Sequence, residues 1–411
     1  MGNCGVGFAP VKPGDENFLI QLMEGVEDIP GTALHEGIDW EWETFPEFLD
    51  AIERKEFVMD LGFMIGHGPV RSYVMGYDRC QNQVDASKDE INQMSEIVEK
   101  AINAGALGFS TSRTILHRDI HGVYVPGTEA SSEEMKELAF AVDRAGEGTL
   151  EIVSDWLDQE IEMSWMKEYV EKSDCGLTVL QTNGDSVKTI LYCEEQFLKG
   201  KNVRPQFPGR NVGLMFGLES SLHPFIGHPS YKDISHLPLN ERLSIMRDPA
   251  FKQKILNESP SFREDLQKAA KEQKSNKTKE EIKAEAEIGK KLISNYETQF
   301  ILSDPPNYEP TREDRIAYLA EQRNLSEEEV IYDELIKDDG KSLIYACFTP
   351  YENHKLKFVE TFYKLKSSVA GGSDGGAHCG LICDASMPTT NLSHWARDRS
   401  AGNKIPLELI I

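Results

Sequence analysis

Short apolar runs rich in β-branched residues alternate with longer helical patterns along this chain, and no other feature constrains its fold so strongly. The runs are Phe57–Ile65, Ala106–Ser110, Thr149–Val153, Leu177–Leu180, Val203–Phe207 and Ser368–Gly371, with a weaker one at Ser342–Phe348. Between the first two, Ser87–Ala104 spaces Ile91, Met94, Ile97, Val98 and Ala101 three and four apart, the stripe of an amphipathic helix, and Gly105 stops it. Ser131–Ala145 opens with Ser and Glu in capping-box order and ends at Gly146. A strand that repeatedly feeds a helix gives either a closed (β/α)8 barrel or an open doubly wound sheet. The GxGxxG that often marks the open sheet does not follow the first strand, so the pattern leans towards a barrel.

The chain has 411 residues, enough for one large domain with a full core. We read 1–411 as a single α/β barrel domain. Glu258–Lys291, dense in Lys, Glu and Ala, reads as a charged helical insertion within it. A formal net charge of -25 argues against a nucleic-acid partner, because phosphates would be repelled. No run approaches the roughly 18 to 20 apolar residues of a membrane span, and no charged-then-apolar opening marks a secretory signal. Met1-Gly2-Asn3-Cys4 resembles a lipidation start, but Val6 stands where myristoylation needs Ser or Thr. Seven scattered cysteines (Cys4, Cys80, Cys175, Cys193, Cys347, Cys379 and Cys383) without a CxxC pair fit free thiols in a reducing cytoplasm.

Three short constellations carry chemistry. Gly371-Gly372-Ser373-Asp374-Gly375-Gly376-Ala377-His378 follows an apolar run, so Asp374 falls at the C-terminal end of a strand, the active face of a barrel. An Asp there can bind a metal and shuttle a proton, and Ser373 and His378 beside it are candidate substrate contacts. The same residues also suit a glycine-rich turn closed by an Asx bond. Gly2-Asn3-Cys4-Gly5 offers a thiolate between small residues, a soft ligand for zinc, or simply a buried cysteine. In Ile65-Gly66-His67-Gly68-Pro69-Val70-Arg71, His67 could ligate, exchange protons or bind substrate, and Arg71 could clamp a carboxylate; a satisfied turn histidine is the plainer alternative. The pairs His117/His121 and His223/His228 lack the setting of a helical zinc motif and are set aside.

Together these segments resemble the N-acyl-D-amino-acid deacylase (D-aminoacylase) group of the amidohydrolase superfamily. The matching stretches are GNCGVGFAPVKPG, LMEGVEDIPG, Trp40 to Asp60, IGHGPVRSYVMG, AGALGFSTSRTILHR, VPGTEA, GGSDGGAHCGLICDASMPT and HWARDR. The resemblance implies a metal-dependent (β/α)8 barrel holding one or two Zn2+ ions and hydrolysing the amide of a small-molecule N-acyl-D-amino acid. It implies that Cys4 ligates the metal, that Asp374 ligates it and carries the proton, and that Arg71 or Arg113 holds the substrate carboxylate. The group's first strand ends in a His-x-His pair, and its fifth and sixth strands are each followed by a histidine. This sequence has no His-x-His, and at the latter points it offers Glu151 to Asp155 and Val179 to Thr182. We therefore expect a barrel lacking its first strand and its C-terminal end, with Ser154, Asp155 or Gln181 as candidate replacements for the imidazoles. Alternative readings are a catalytically inactive scaffold, or an amidohydrolase acting on a cyclic amide or dipeptide.

Overall fold

The structure, a computed structural model, describes residues 2–181, 187–260, 293–347, 351, 353–378, 380–382 and 384–411. Nine strands form among them: β1 (Ile65–Gly66), β2 (Gly108–Arg113), β3 (Thr149–Ser154), β4 (Gly176–Leu180), β5 (Val203–Pro208), β6 (Gly213–Phe216), β7 (Gln299–Ile301), β8 (Ile344–Cys347) and β9 (Val369–Gly371). Six of them make one parallel sheet in the order β1-β2-β3-β4-β5-β9. The parallel α/β reading therefore holds. The sheet is open among the described residues, ending at β1 and β9 rather than closing as the expected barrel would.

Helices cross between the strands. α1 (Glu16–Glu27) precedes β1, and the helices between strands include α2 (His67–Met75), α3 (Lys88–Asn103), α4 (Ser132–Ala145), α5 (Gln159–Lys172) and α6 (Val187–Leu198). The α3 start is a full capping box, in which Ser87 accepts from Glu90 N and the Glu90 carboxylate receives Ser87 N at 2.8 Å. At α4 only half of the box forms: Ser131 accepts from Glu134 N, but the Glu134 side chain turns inward. Gly146, at φ 79°, ends α4 in the left-handed region that glycine tolerates. Phe109, Leu150, Ile152, Leu177 and Val179 of the sheet meet Met94, Val98, Met135, Leu138, Met166 and Tyr169 of α3 to α5 in one core. Strand side chains alternate between faces, so Ser110, Glu151, Thr178 and Gln206 share the opposite face. One face is packed hydrocarbon and the other is polar.

The run Phe57–Ile65 yields only its last residue to a strand. Asp60 and Gly62 interrupt it, Phe57 and Met59 are exposed, and Val58 is wholly so. Pairing reaches two residues further back through Leu107 N, which donates to Phe63 O at 2.7 Å. The weaker run at Ser342–Phe348 holds β8, but in a separate antiparallel sheet, β6-β8-β7, that the apolar pattern did not reveal. That sheet has its own core of Phe216, Phe225, Tyr231, Tyr332, Leu335 and Ile344, within the excursion between β5 and β9. Most of the charged segment 258–291 lies outside the described residues, as do Phe348, Cys379 and Cys383. No helix among the described residues is long and apolar enough to cross a membrane.

Glu309 ties this excursion to the C-terminal segment. Its carboxylate receives Arg399 Nε at 3.0 Å and Nη2 at 2.9 Å, His394 Nε2 at 2.9 Å and Leu356 N at 2.9 Å. Burial would raise its carboxyl, but His394 and Arg399 bring it down to about 2. A lowered carboxyl stabilises the fold above the ordinary Glu range, and that stability is lost as pH falls towards the folded value. We predict that Glu309→Gln costs roughly 3 kcal/mol near neutrality and that the deficit shrinks as pH falls towards 2. Urea denaturation of both proteins across that range checks it; a deficit independent of pH would contradict the assignment.

Candidate functional site

The site is assembled where the N-terminal segment crosses the polar ends of the first strands. Gly5 makes that crossing possible. Its φ is 69°, and a Cβ there would meet Ser112 N at 2.8 Å, so the chain lies flat on β2 only as glycine. Gly5 O receives Gly68 N at 2.9 Å, and Gly2 O receives the Ser110 hydroxyl, which fixes Cys4 between these two anchors.

Around Cys4 gather Glu27, the last residue of α1, and the loop after β9. His378 N donates to Glu27 O at 2.5 Å, and His378 Nε2 lies 3.2 Å from Glu27 Oε2. The neighbouring Asp28 accepts the Ser221 hydroxyl at 2.9 Å, and Ser221 N donates to Gly380 O at 3.0 Å. These bonds hold the Ser373–His378 loop against α1. Burial lowers the affinity of His378 for its proton, but Glu27 more than restores it, so the imidazole titrates above its usual range. Glu27 in turn, raised by burial, is brought net below the carboxylate range by His378. The Cys4 thiol is pushed well above its usual range, first by burial and then by Glu27, Asp374 and Glu151. It is a neutral thiol and no nucleophile at pH 7. Asp374, at φ 41°, is raised by the protein around it and by Glu27, against the pull of His378.

The structure thus brings Cys4, Asp374 and His378 together, with Ser373 in the same loop. It does not bring His67, Arg71 or Arg113 to them. His67 is fully buried: Nε2 contacts Glu134 Oε1 at 2.9 Å and Nδ1 contacts Thr111 Oγ1 at 2.9 Å. Arg71 Nε donates to the same Glu134 oxygen at 2.8 Å, and its Nη2 donates to Val84 O at 2.9 Å. Burial alone would raise Glu134, but His67 and then Arg71 hold it at about 2. A Cβ on Gly127, at φ 103°, would meet His67 Nδ1 at 2.5 Å, so the VPGTEA turn closes over this trio. Arg113 pairs with Glu162 at 2.7 Å and donates to Gly127 O and Ala130 O at 3.0 and 2.7 Å. His67, Arg71 and Arg113, expected as substrate contacts, face the buried carboxylates of Glu134 and Glu162, and Arg71 Nη1 is buried without a well-formed hydrogen bond among the described residues.

Of the candidate replacements for histidine, Ser154 Oγ receives Trp156 N and Asp155 Oδ2 receives Ile115 N, both bracing local backbone. Gln181 is buried at the end of β4. Sequence reasoning missed Glu27, which sits inside LMEGVEDIPG without a motif of its own, and Glu151. It also set aside His117, which stands beside this cluster: its Nδ1 is 2.8 Å from Ser112 Oγ, and burial drops it to about 4 despite Glu27.

Zinc binds thiolate sulfur, imidazole nitrogen and carboxylate oxygen, and the cluster contains all three kinds. Among the described residues, however, no three His, Cys, Asp or Glu side chains converge to hold one ion. As placed, Glu27 is engaged by His378 and by the Cys4 thiol rather than directed to a common point. The arrangement does not fit the zinc site that the resemblance implies. A cavity of about 1110 Å3 opens elsewhere, beside β9 and the C-terminal residues, lined by Tyr363, Val369, Leu409 and Ile410 and by none of the cluster.

We predict that Glu134→Ala, which strands Arg71 in the interior, destabilises the protein by about 3–5 kcal/mol, whereas Glu41→Ala, at the exposed Arg54 pair, costs under about 1 kcal/mol. Chemical denaturation of the two variants side by side checks the contrast.

Comparison with known proteins finds partial likenesses. No family model matches the chain. A D-aminoacylase of Alcaligenes xylosoxydans xylosoxydans is 28% identical over 137 residues, which are 33% of this chain and 23% of that protein. An uncharacterized protein of Mycobacterium tuberculosis (strain ATCC 25618 / H37Rv) is 28% identical over 113 residues, 27% of this chain and 18% of that protein. Among solved structures, an N-acyl-D-glutamate deacylase from Bordetella bronchiseptica, complexed with zinc and a phosphonate mimic of the tetrahedral intermediate, matches 92% of this chain and 59% of its own, at 16% identity and a TM-score of 0.43. The matched part of the chain spans under a quarter of the length of the curated relatives. The resemblance read from the motifs agrees with this likeness to a D-aminoacylase, which extends over a third of the chain.

Proposed function

We propose that this protein is a hydrolase that deacylates small-molecule N-acyl-D-amino acids, cleaving the amide into a carboxylate and a free D-amino acid. The observation that carries the reading is the stretch of 137 residues shared with a D-aminoacylase. The meeting of Cys4, Asp374 and His378 supports it, because residues from opposite ends of the chain form one polar cluster at the strand ends.

We also read the sheet as six successive units of a (β/α)8 barrel. Its strands follow one another in chain order without the reversal that defines a doubly wound sheet. The polar face then corresponds to the barrel interior, and the segment 258–291 to an insertion between its last two strands.

The side chains perform three tasks in this reading. Asp374, its carboxyl raised towards neutrality, takes a proton from the attacking water and returns it to the leaving amine. His378, its imidazole raised above the ordinary range by Glu27, fixes the loop that carries Asp374 and Ser373. Cys4, a neutral thiol, walls the cleft without attacking the substrate. The D-aminoacylase resemblance would add zinc, but since the described side chains do not converge on an ion, none of these steps is assigned to one.

The test is hydrolysis of N-acetyl-D-amino acids by the purified protein, against the L-enantiomers. We expect turnover of the D-series, abolished by at least about 100-fold in Asp374→Ala with an unchanged unfolding midpoint. Equal turnover of both enantiomers, or full activity in Asp374→Ala, would overturn the reading.

A further inference from the structure

Three carboxylates act on the Cys4 thiol: Glu27, Asp374 and Glu151. Glu27 holds His378 and Asp374 handles the proton, which leaves Glu151 without a task. It lies in the middle of β3, paired in register with Ser110 on one side and Thr178 on the other. The hydroxyl of Ser110 binds Gly2 O, so the face that Glu151 shares is the one crossed by the segment bearing Cys4.

Glu151 is wholly buried, and Gln206 Nε2 donates to its Oε2 at 2.9 Å. Its other oxygen, Oε1, is sealed from solvent and makes no hydrogen bond of good geometry among the described residues. No Arg, Lys or His is paired with it there. A buried carboxyl without a cation takes the neutral form, and burial pushes this one up to about 8 against the opposing pull of the Thr178 hydroxyl. Since Oε2 already accepts from Gln206, Oε1 carries the proton, and the Thr178 hydroxyl beside it forms no hydrogen bond of good geometry among the described residues. Burying such a group unpaired costs about 1–3 kcal/mol, and a ligand oxygen would relieve that cost.

We propose that Glu151 is a substrate-binding residue whose Oε1 side donates a hydrogen bond to the acyl carbonyl oxygen of the bound N-acyl amino acid. The inference rests on the deacylase reading and deepens it by orienting the substrate. Beside Cys4 stand two carboxylates, Glu27 and Asp374, and one imidazole, His378, which is already paired with Glu27, so the neutral acyl end lies inward on Glu151 and the amino-acid carboxylate points away from it.

Titration calorimetry with N-acetyl-D-amino acids and with the free D-amino acids, which lack the acyl carbonyl, tests the proposal alongside the steady-state KM. Glu151→Leu is expected to weaken the N-acetyl ligand by at least about tenfold and to leave the free amino acid within about twofold, at an unchanged unfolding midpoint. Glu151→Gln, which keeps a donor beside Gln206, recovers most of the loss. Equal weakening of both ligands, or no weakening of either, overturns the assignment of Glu151 alone. Absence of N-acetyl-ligand binding and turnover in the unaltered protein overturns the deacylase reading and this inference with it.

Discussion

The ion pair between Glu27 and His378 is the contact on which the site depends. Its partners stand 351 positions apart in the sequence, one ending α1 and the other closing the loop after β9. Without it, Asp374 would be carried on a glycine-rich turn free to leave Cys4. With it, and with the backbone bond from His378 N to Glu27 O, the two ends of the chain meet over the polar face of the sheet. A pair largely shielded from water, as this one is, is worth more than a surface bridge and depends on the charge of its histidine. Its contribution is full below the ordinary histidine range and fades as pH rises through the elevated value of His378.

The two faces of the parallel sheet divide the work. The helix-covered face holds the apolar core, and at its upper edge Glu134 gathers His67 and Arg71 while Glu162 holds Arg113. From the interior, His67 and Arg113 meet the VPGTEA turn at Gly127. The other face carries Ser110, Glu151, Thr178 and Gln206, polar groups that an ordinary parallel sheet, covered on both sides by hydrocarbon, would not bear. A polar face of this kind is the expected lining of a site.

Much of the fold was legible because it is local. Alternating strand runs, the Ser87 and Ser131 caps and the glycine stops act within a few residues, and apart from the run Phe57–Ile65 the structure keeps them to within three residues. The run Phe57–Ile65 misled because apolar content alone does not make a strand when Asp60 and Gly62 interrupt it. The antiparallel sheet of the excursion was hidden for a different reason: β6 and β7 are four and three residues long and pair only through β8, far away in sequence. In the site, the glycine-rich settings of Cys4 and Asp374 drew attention to both residues. The surroundings of Arg71 and Arg113 were not legible, because the carboxylate each one meets stands 63 residues away for Arg71 and 49 for Arg113. Glu27 and Glu151 were invisible for the same reason. Each is an unremarkable glutamate until the chain folds around it.

The most direct test is the titration of His378 by nuclear magnetic resonance, assigned by comparison with His378→Gln, in the unaltered protein and in Glu27→Gln. If Glu27 holds the loop over Cys4, His378 titrates above the ordinary histidine range and falls back once the carboxylate is removed. An ordinary value in the unaltered protein, unmoved by Glu27→Gln, would mean that the two ends of the chain do not meet there.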